Sequence, residues 1–204
     1  MIAISKTEVF NFEAAIRGAR NPMNSWDRID SSVGINGDFI FGENDLNLAK
    51  KLCKAGSDHR KFMRQILVSV DIYAPLYWWK EFDTYKVGTT ANSTSTMHKI
   101  HAKSFAVEDF SHDRLDEAGI DFLMNIISVL EEARLKFVST NDKAQWYKMI
   151  QLLPSSYNQL RTCTMSYENL INMYNARKTH KLDEWHEFCR WVSSLPYAKD
   201  LICL

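Results

Sequence analysis

The sequence predicts an α+β fold in which helices outnumber strands. Only 7 Gly and 4 Pro punctuate 204 residues, too few for a many-turned β protein. Two runs, QILVSVDIY at 65–73 and YNQLRTCTM at 157–165, read as strands, the first by alternating apolar and polar residues. Most of the remaining long segments place apolar side chains at helical spacing.

Taken in order, FEAAIRGAR at 12–20 suits a short helix, and NPMNSWDRIDSSVGING at 21–37 an irregular surface loop. Asn44 or Asp45 is positioned to cap a helix with Leu48, Ala49, Leu52 and Cys53 on one face, and Gly56 to end it. The 65–73 strand leads into Ala74-Pro75 and then an aromatic helical stretch, Tyr77, Trp78, Trp79 and Phe82. Asp113 or Asp116 opens a long helix to about Lys136. Its apolar set is Ile120, Leu123, Ile127 and Leu130, which Phe122, Ile126, Val129 and Ala133 widen into a face expected to be deeply buried. A helix over 142–153 carries Trp146, Met149, Ile150 and Leu153, and Pro154 stops it. After the 157–165 strand, Ser166 caps a helix through Ala176. A last helix at about 182–194 gathers Trp185, Phe188, Cys189 and Val192.

With 46% hydrophobic and 25% charged residues, the chain is expected to form one domain over 1–204. Its 25 basic and 25 acidic residues cancel, which disfavours nucleic acid as a partner and leaves a small anionic ligand open. Cys53, Cys163, Cys189 and Cys203 form no C-x-x-C pair and read as reduced thiols of a cytoplasmic protein. No run is apolar enough to span a membrane, so no membrane partner is expected. His98 and His101 would share a helix face, but no Asp, Glu or Cys at matching spacing completes a metal site.

The most informative segment is APLYWWKEFDTYKVGTTANSTSTMHK, 74–99. Its hydroxyl-rich part, 89–96, reads as a loop offering hydroxyls and backbone N–H groups with little charge, which suits the oxyanions of a nucleotide. A solvated turn with no ligand is the plain alternative. Arg177, at the end of its helix, would either bind an anion or simply satisfy the helix's last carbonyls.

This segment resembles the signature region of the flavin-dependent thymidylate synthases. In that family a strand ends in Ala-Pro and a helix runs into R-H-R, seven residues and Ser, with an Arg two further on. Here Ala74-Pro75 is matched, the R-H-R falls on Thr84-Tyr85-Lys86, the Ser on Thr94, the following Arg on Thr96, and the Glu two before the Ser on Asn92, all without a gap. The second half matches too. The family's Leu-Pro, Asn, nucleotide-binding Arg, His and Trp-Glu fall on Leu153-Pro154, Asn172, Arg177, His180 and Trp185-His186, with His180 one residue nearer the Arg. A further nucleotide-binding Arg of the family falls on Ile150.

The resemblance implies a small antiparallel sheet flanked by helices and a homotetramer with sites built between subunits. Trp78, Trp79 and Tyr77 are expected to need covering by another copy. It implies FAD held by Tyr85, Lys86, Asn92, Asn172 and His180, with Tyr85 stacking on the flavin ring. It also implies a pyrimidine nucleotide such as dUMP, met by Arg177, by Glu81, and by Ser93, Thr94, Ser95 and Thr96 of a neighbouring subunit. In the family reaction reduced flavin supplies hydride and a folate the one-carbon unit. Loss of the family's Arg, His and Glu keeps three readings open: a flavoenzyme acting on a pyrimidine nucleotide, a catalytically silent nucleotide-binding homologue, or a structural reuse of the fold.

Overall fold

Strand β1 (Ala3–Phe10) leads into helix α1 (Phe12–Arg20) in the computed structural model, which describes residues 2–204. A hairpin of β2 (Ser32–Val33) and β3 (Phe39–Ile40) follows, then α2 (Glu43–Lys54), β4 (Leu67–Pro75), α3 (Leu76–Phe82) and β5 (Thr90–Ser93). The second half runs α4 (Glu117–Thr140), α5 (Lys143–Leu152), β6 (Asn158–Ser166), α6 (Tyr167–Arg177), α7 (Asp183–Ser194) and α8 (Ala198–Leu201). The larger sheet is small and antiparallel, with strand order β1-β4-β6-β5. The fold class and both expected strands are therefore present. None of the helices among the described residues is long and apolar enough to cross a membrane.

The chain divides into two compact units of interleaved segments. One contains Ile72–Thr84 and Asn92–Thr162; the other contains Ile4–Asp71, Tyr85–Ala91 and Cys163–Leu204.

In the first unit α4 and α5 pack as a helical hairpin around Leu123, Ile127, Leu130, Ala133 and Met149, joined by Ile100, Phe105 and Phe110. The Asp116 carboxylate caps α4 by accepting from the Gly119 amide, as one of the two expected caps should. The wide buried face expected of this helix is narrower than its sequence suggests. Phe122 is 68% exposed and Val129 also faces solvent, along with Leu135 and Val138. An amphipathic stripe on one packed side accommodates only the Leu123-to-Ala133 row. Helix α3 differs in the opposite sense. Trp78 and Trp79 are 0% and 1% exposed, packed on each other and on Phe82 with ring centroids 4.9–5.2 Å apart. The Trp79 indole N–H donates to the Gln159 carbonyl at 3.0 Å. These tryptophans are covered within one chain and need no second copy, which corrects that argument for assembly.

In the second unit Phe12, Phe39, Phe41, Tyr167 and Tyr197 form an aromatic cluster with mostly edge-on contacts. The loop over 21–42, whose Phe39 and Phe41 belong to this cluster, is also held by an ion pair. Arg20 Nε meets Asp45 Oδ1 at 2.6 Å, and both side chains are buried. Asp45 is thus not a cap but a first-turn residue of α2, whose N-cap is Gly42. The capping chemistry comes from Asp30, whose carboxylate accepts from the Asn44 and Asp45 amides at 2.8 and 3.0 Å. A Cβ at position 42 would overlap the Asp30 carboxyl, so this close approach requires glycine.

Burial alone would raise the Asp45 carboxyl, but hydrogen bonds from Ser31, Arg20 and the Asp30 amide outweigh it and hold it below the ordinary carboxylate value. A depressed folded value means that this stabilisation is complete above the unfolded carboxyl value of about 3.9 and is lost as pH falls below it through the folded value. The unfolding midpoint should therefore drop steeply below about pH 4, and less steeply in Asp45→Asn, in thermal melts across the acid range. The two curves falling in parallel would show that Asp45 is not the group being titrated.

Candidate functional site

Helix α6 builds the centre of the candidate site. Its start is fixed by Ser166, whose hydroxyl accepts from the Asn169 amide at 3.2 Å while Asn169 Oδ1 accepts from the Ser166 amide at 3.0 Å. From there α6 runs to Arg177, its last residue. The Asn169 side chain also donates Nδ2 to the Val87 carbonyl at 2.7 Å, so the cap of the helix tethers the 85–91 turn. That turn needs Gly88, which has φ +76°, and a Cβ there would sit 3.1 Å from Asn169 Oδ1.

The tether brings Tyr85 to Arg177. Arg177 Nε donates to the Tyr85 hydroxyl at 2.9 Å, and the guanidinium lies 4.8 Å from the Trp185 ring centroid and 5.5 Å from that of Tyr85. Tyr85 and Trp185 meet edge to face at 6.2 Å. The His180 amide donates to the Arg177 carbonyl at 3.0 Å, and the His180 ring meets Trp185 at 6.3 Å. Since His180 Nδ1 accepts from the Leu182 amide, the neutral ring carries its proton on Nε2. Four residues singled out from sequence, Tyr85, Arg177, His180 and Trp185, thus form one cluster. It holds a planar, permanently charged guanidinium on aromatic rings, an arrangement able to bind an oxyanion with little loss of rotamer freedom.

Asn172 is placed otherwise. Its Oδ1 accepts from Arg60 Nη2 at 3.2 Å, and Arg60 also grips the buried Glu168 through Nε at 2.8 Å. Arg60 and Asn169 escaped the sequence reading. Asn169 had a detectable signal, three residues after the Ser166 cap, whereas Arg60 had none. Lys86 is exposed, and Thr84 donates its hydroxyl to the Glu81 carbonyl at 2.7 Å.

The hydroxyl-rich segment is not wholly a loop. Thr90–Ser93 forms β5, and the Thr94 amide continues the pairing by donating to the Leu160 carbonyl at 2.9 Å. Threonine favours extended backbone, and β6 offers an open edge for it. The Thr94 amide is therefore not available to an oxyanion. The Ser95 hydroxyl is also engaged, accepting from the Met97 and His98 amides at 3.1 and 2.9 Å. Asn92 and Ser93 are exposed, and Thr96 and Glu81 are half-buried.

ThyX from Helicobacter pylori, crystallised with FAD and dUMP, superposes on this chain with a TM-score of 0.70 at 14% identity, over 99% of this chain and 97% of that one. The fold is that of the flavin-dependent thymidylate synthases. A second Helicobacter pylori ThyX structure with FAD and dUMP gives a TM-score of 0.70 at 13% identity, covering 97% of each chain. The UMP/dUMP methylase PolB from Streptomyces cacaoi, bound with 5-Br dUMP, gives 0.68 at 10% identity, over 100% of this chain and 94% of that one. No family model matches the sequence, and no curated protein matches it.

At the positions matched with R-H-R, the chain offers little that would hold an FAD. Thr84 carries no charge, the Tyr85 hydroxyl is engaged by Arg177, and its ring is flanked by Arg177 and Trp185. Only exposed Lys86 offers a cation there. The residues present do not fit a flavin held as the family signature holds it.

Proposed function

We propose that this protein binds a pyrimidine nucleoside monophosphate of the dUMP or UMP type, with Arg177 as its fixed positive anchor. The observation that carries the reading is the Arg177 guanidinium held by Tyr85 and Trp185, at the position matching the family's nucleotide-binding Arg. The nucleotides bound by the structures of like fold supply the ligand class. In this reading Glu81 and the Ser93–Thr96 segment of a neighbouring copy complete the pocket, with the Ser93 and Thr96 hydroxyls rather than the Thr94 amide meeting the phosphate. Calorimetric titration with dUMP, UMP, dTMP and AMP tests it. Pyrimidine monophosphates should bind and AMP should not; equal binding of all of them, or of none, removes the proposal.

A flavin-dependent, folate-using methyl transfer is the second reading. One observation favours it: the Thr89 hydroxyl is buried with no hydrogen-bond partner among the described residues, in the turn next to Lys86. A ligand oxygen or nitrogen is the simplest way to satisfy it. In this reading the flavin is held otherwise than in the family signature, by Lys86, Asn172 and His180 of one copy and Asn92 of a neighbouring copy. Protein purified in the presence of FAD should then be yellow, and Thr89→Val should bleach it. A colourless protein that still binds dUMP leaves the silent nucleotide binder.

A homotetramer is part of the same proposal. Its support is the exposed apolar side of α4, where Phe122, Leu135 and Val138 are each more than half exposed. Light scattering should return about four times 23.7 kDa. A species of one chain's mass would remove both the assembly and the shared pocket.

A further inference from the structure

The first unit contains a second preorganised guanidinium. Arg161 lies on β6 with its guanidinium 4.2 Å from the Trp79 ring centroid. Its Nε donates to Gln159 Oε1 at 3.0 Å and its Nη1 to Asp83 Oδ1 at 2.7 Å. Nη2 has no acceptor among the described residues. Gln159 is buried and bridges onward, its Nε2 donating to the Thr94 carbonyl at 2.6 Å. One side-chain amide therefore ties the charge to the backbone that carries Ser93 and Thr96.

The geometry points to Arg161 as an anion-binding residue that receives the phosphate of the nucleotide proposed above, together with the Ser93 and Thr96 hydroxyls. This rests on the pyrimidine-nucleotide reading for the identity of the ligand, but not for the presence of an anion site. Three features argue for it over a purely structural ion pair. The Arg161 side chain is 15% exposed and rigidly stacked, whereas that of Asp83 is 47% exposed. The acidic partner is thus the hydrated, exchangeable one, and a phosphate dianion can replace it. The guanidinium keeps a donor unused, which a bidentate phosphate would take. Finally, the Ser93–Thr96 segment itself carries no cation, so an anion met by its hydroxyls needs a fixed charge from some other residue. Arg161 is the arginine that the side chain of Gln159 links to this segment.

The test compares dUMP with deoxyuridine, which lacks the phosphate. Arg161→Gln should weaken dUMP about tenfold or more and leave deoxyuridine within about twofold, and Arg161→Lys should restore little of it. Asp83→Asn has the opposite sign: removing the competing carboxylate should tighten dUMP, whereas a structural pair would loosen the site. The Arg161 Nε–H resonance, assigned by its loss in Arg161→Gln, should move when inorganic phosphate is added to the wild-type protein. If Arg177→Ala abolishes dUMP binding while Arg161→Gln does not alter it, the nucleotide reading stands and the Arg161 inference falls. If no nucleotide binds but the Arg161 resonance responds to phosphate, the anion site stands and the nucleotide reading falls. Equal losses of dUMP and deoxyuridine in Arg161→Gln, with Asp83→Asn also weaker, make the cluster structural and overturn the inference.

Discussion

Asp45→Ala is expected to lower the unfolding free energy by about 3–5 kcal/mol, the range for stranding one member of a buried ion pair. Arg20, only 4% exposed, would keep its charge with the partner at Nε gone. The loss also reaches the backbone, because Asp45 Oδ2 accepts from the Asp30 and Ser31 amides at 3.2 and 3.0 Å. Releasing them frees the loop that presents the Asp30 carboxylate to the first turn of α2, so the helix loses its cap as well. Urea unfolding measures this directly. A change under about 1 kcal/mol would mean that the pair behaves like an exposed one.

Arg177→Ala should weaken dUMP binding by about one to two orders of magnitude, since charge-assisted hydrogen bonds contribute about 1.5–3 kcal/mol. Arg177→Lys should recover little, because an ammonium has neither the planar fork nor the stacking on Trp185. Tyr85 bears on the same measurement. From sequence it is a ring for the flavin alone, and its removal would spare the nucleotide. In the structure its hydroxyl holds Arg177 Nε, so Tyr85→Phe should weaken dUMP several-fold by releasing the guanidinium, with the fold intact. Calorimetry on the three variants checks both statements. Unchanged affinity in Arg177→Ala would place the pocket elsewhere.

The periodic elements were legible because burial follows period directly. The strand at 65–73, the helices around Ile127 and Phe188, and the Ser166 cap all appear close to where spacing alone puts them. Strand β1 was not legible, since its residues are mostly exposed and show no apolar alternation. The β5 segment reads as loop because its Thr, Asn and Ser suit a turn equally well; the open edge of β6 decides, and only tertiary structure shows that edge. The cap of α2 was misassigned for a similar reason, since Asp30 reaches it from more than ten residues away. At the site, spacing singles out Tyr85, Arg177 and His180, which the structure brings together, but it does not give the contact between Tyr85 and Arg177. Spacing gives positions along a chain, whereas a hydrogen bond depends on how a turn is tethered, here through Asn169.

The two outer strands of the sheet bear on how copies of the chain can meet. β5 is only 4 residues long, and β1 runs through a left-handed residue at Lys6, whose φ is +49° and whose ammonium reaches Asp71 at 3.1 Å. Short length and a charged left-handed residue both deny an incoming strand the straight row of amides and carbonyls it needs. Both edges of the sheet are therefore poor templates for strand addition. Any association of copies would then use helix surfaces, where contacts are side chain to side chain.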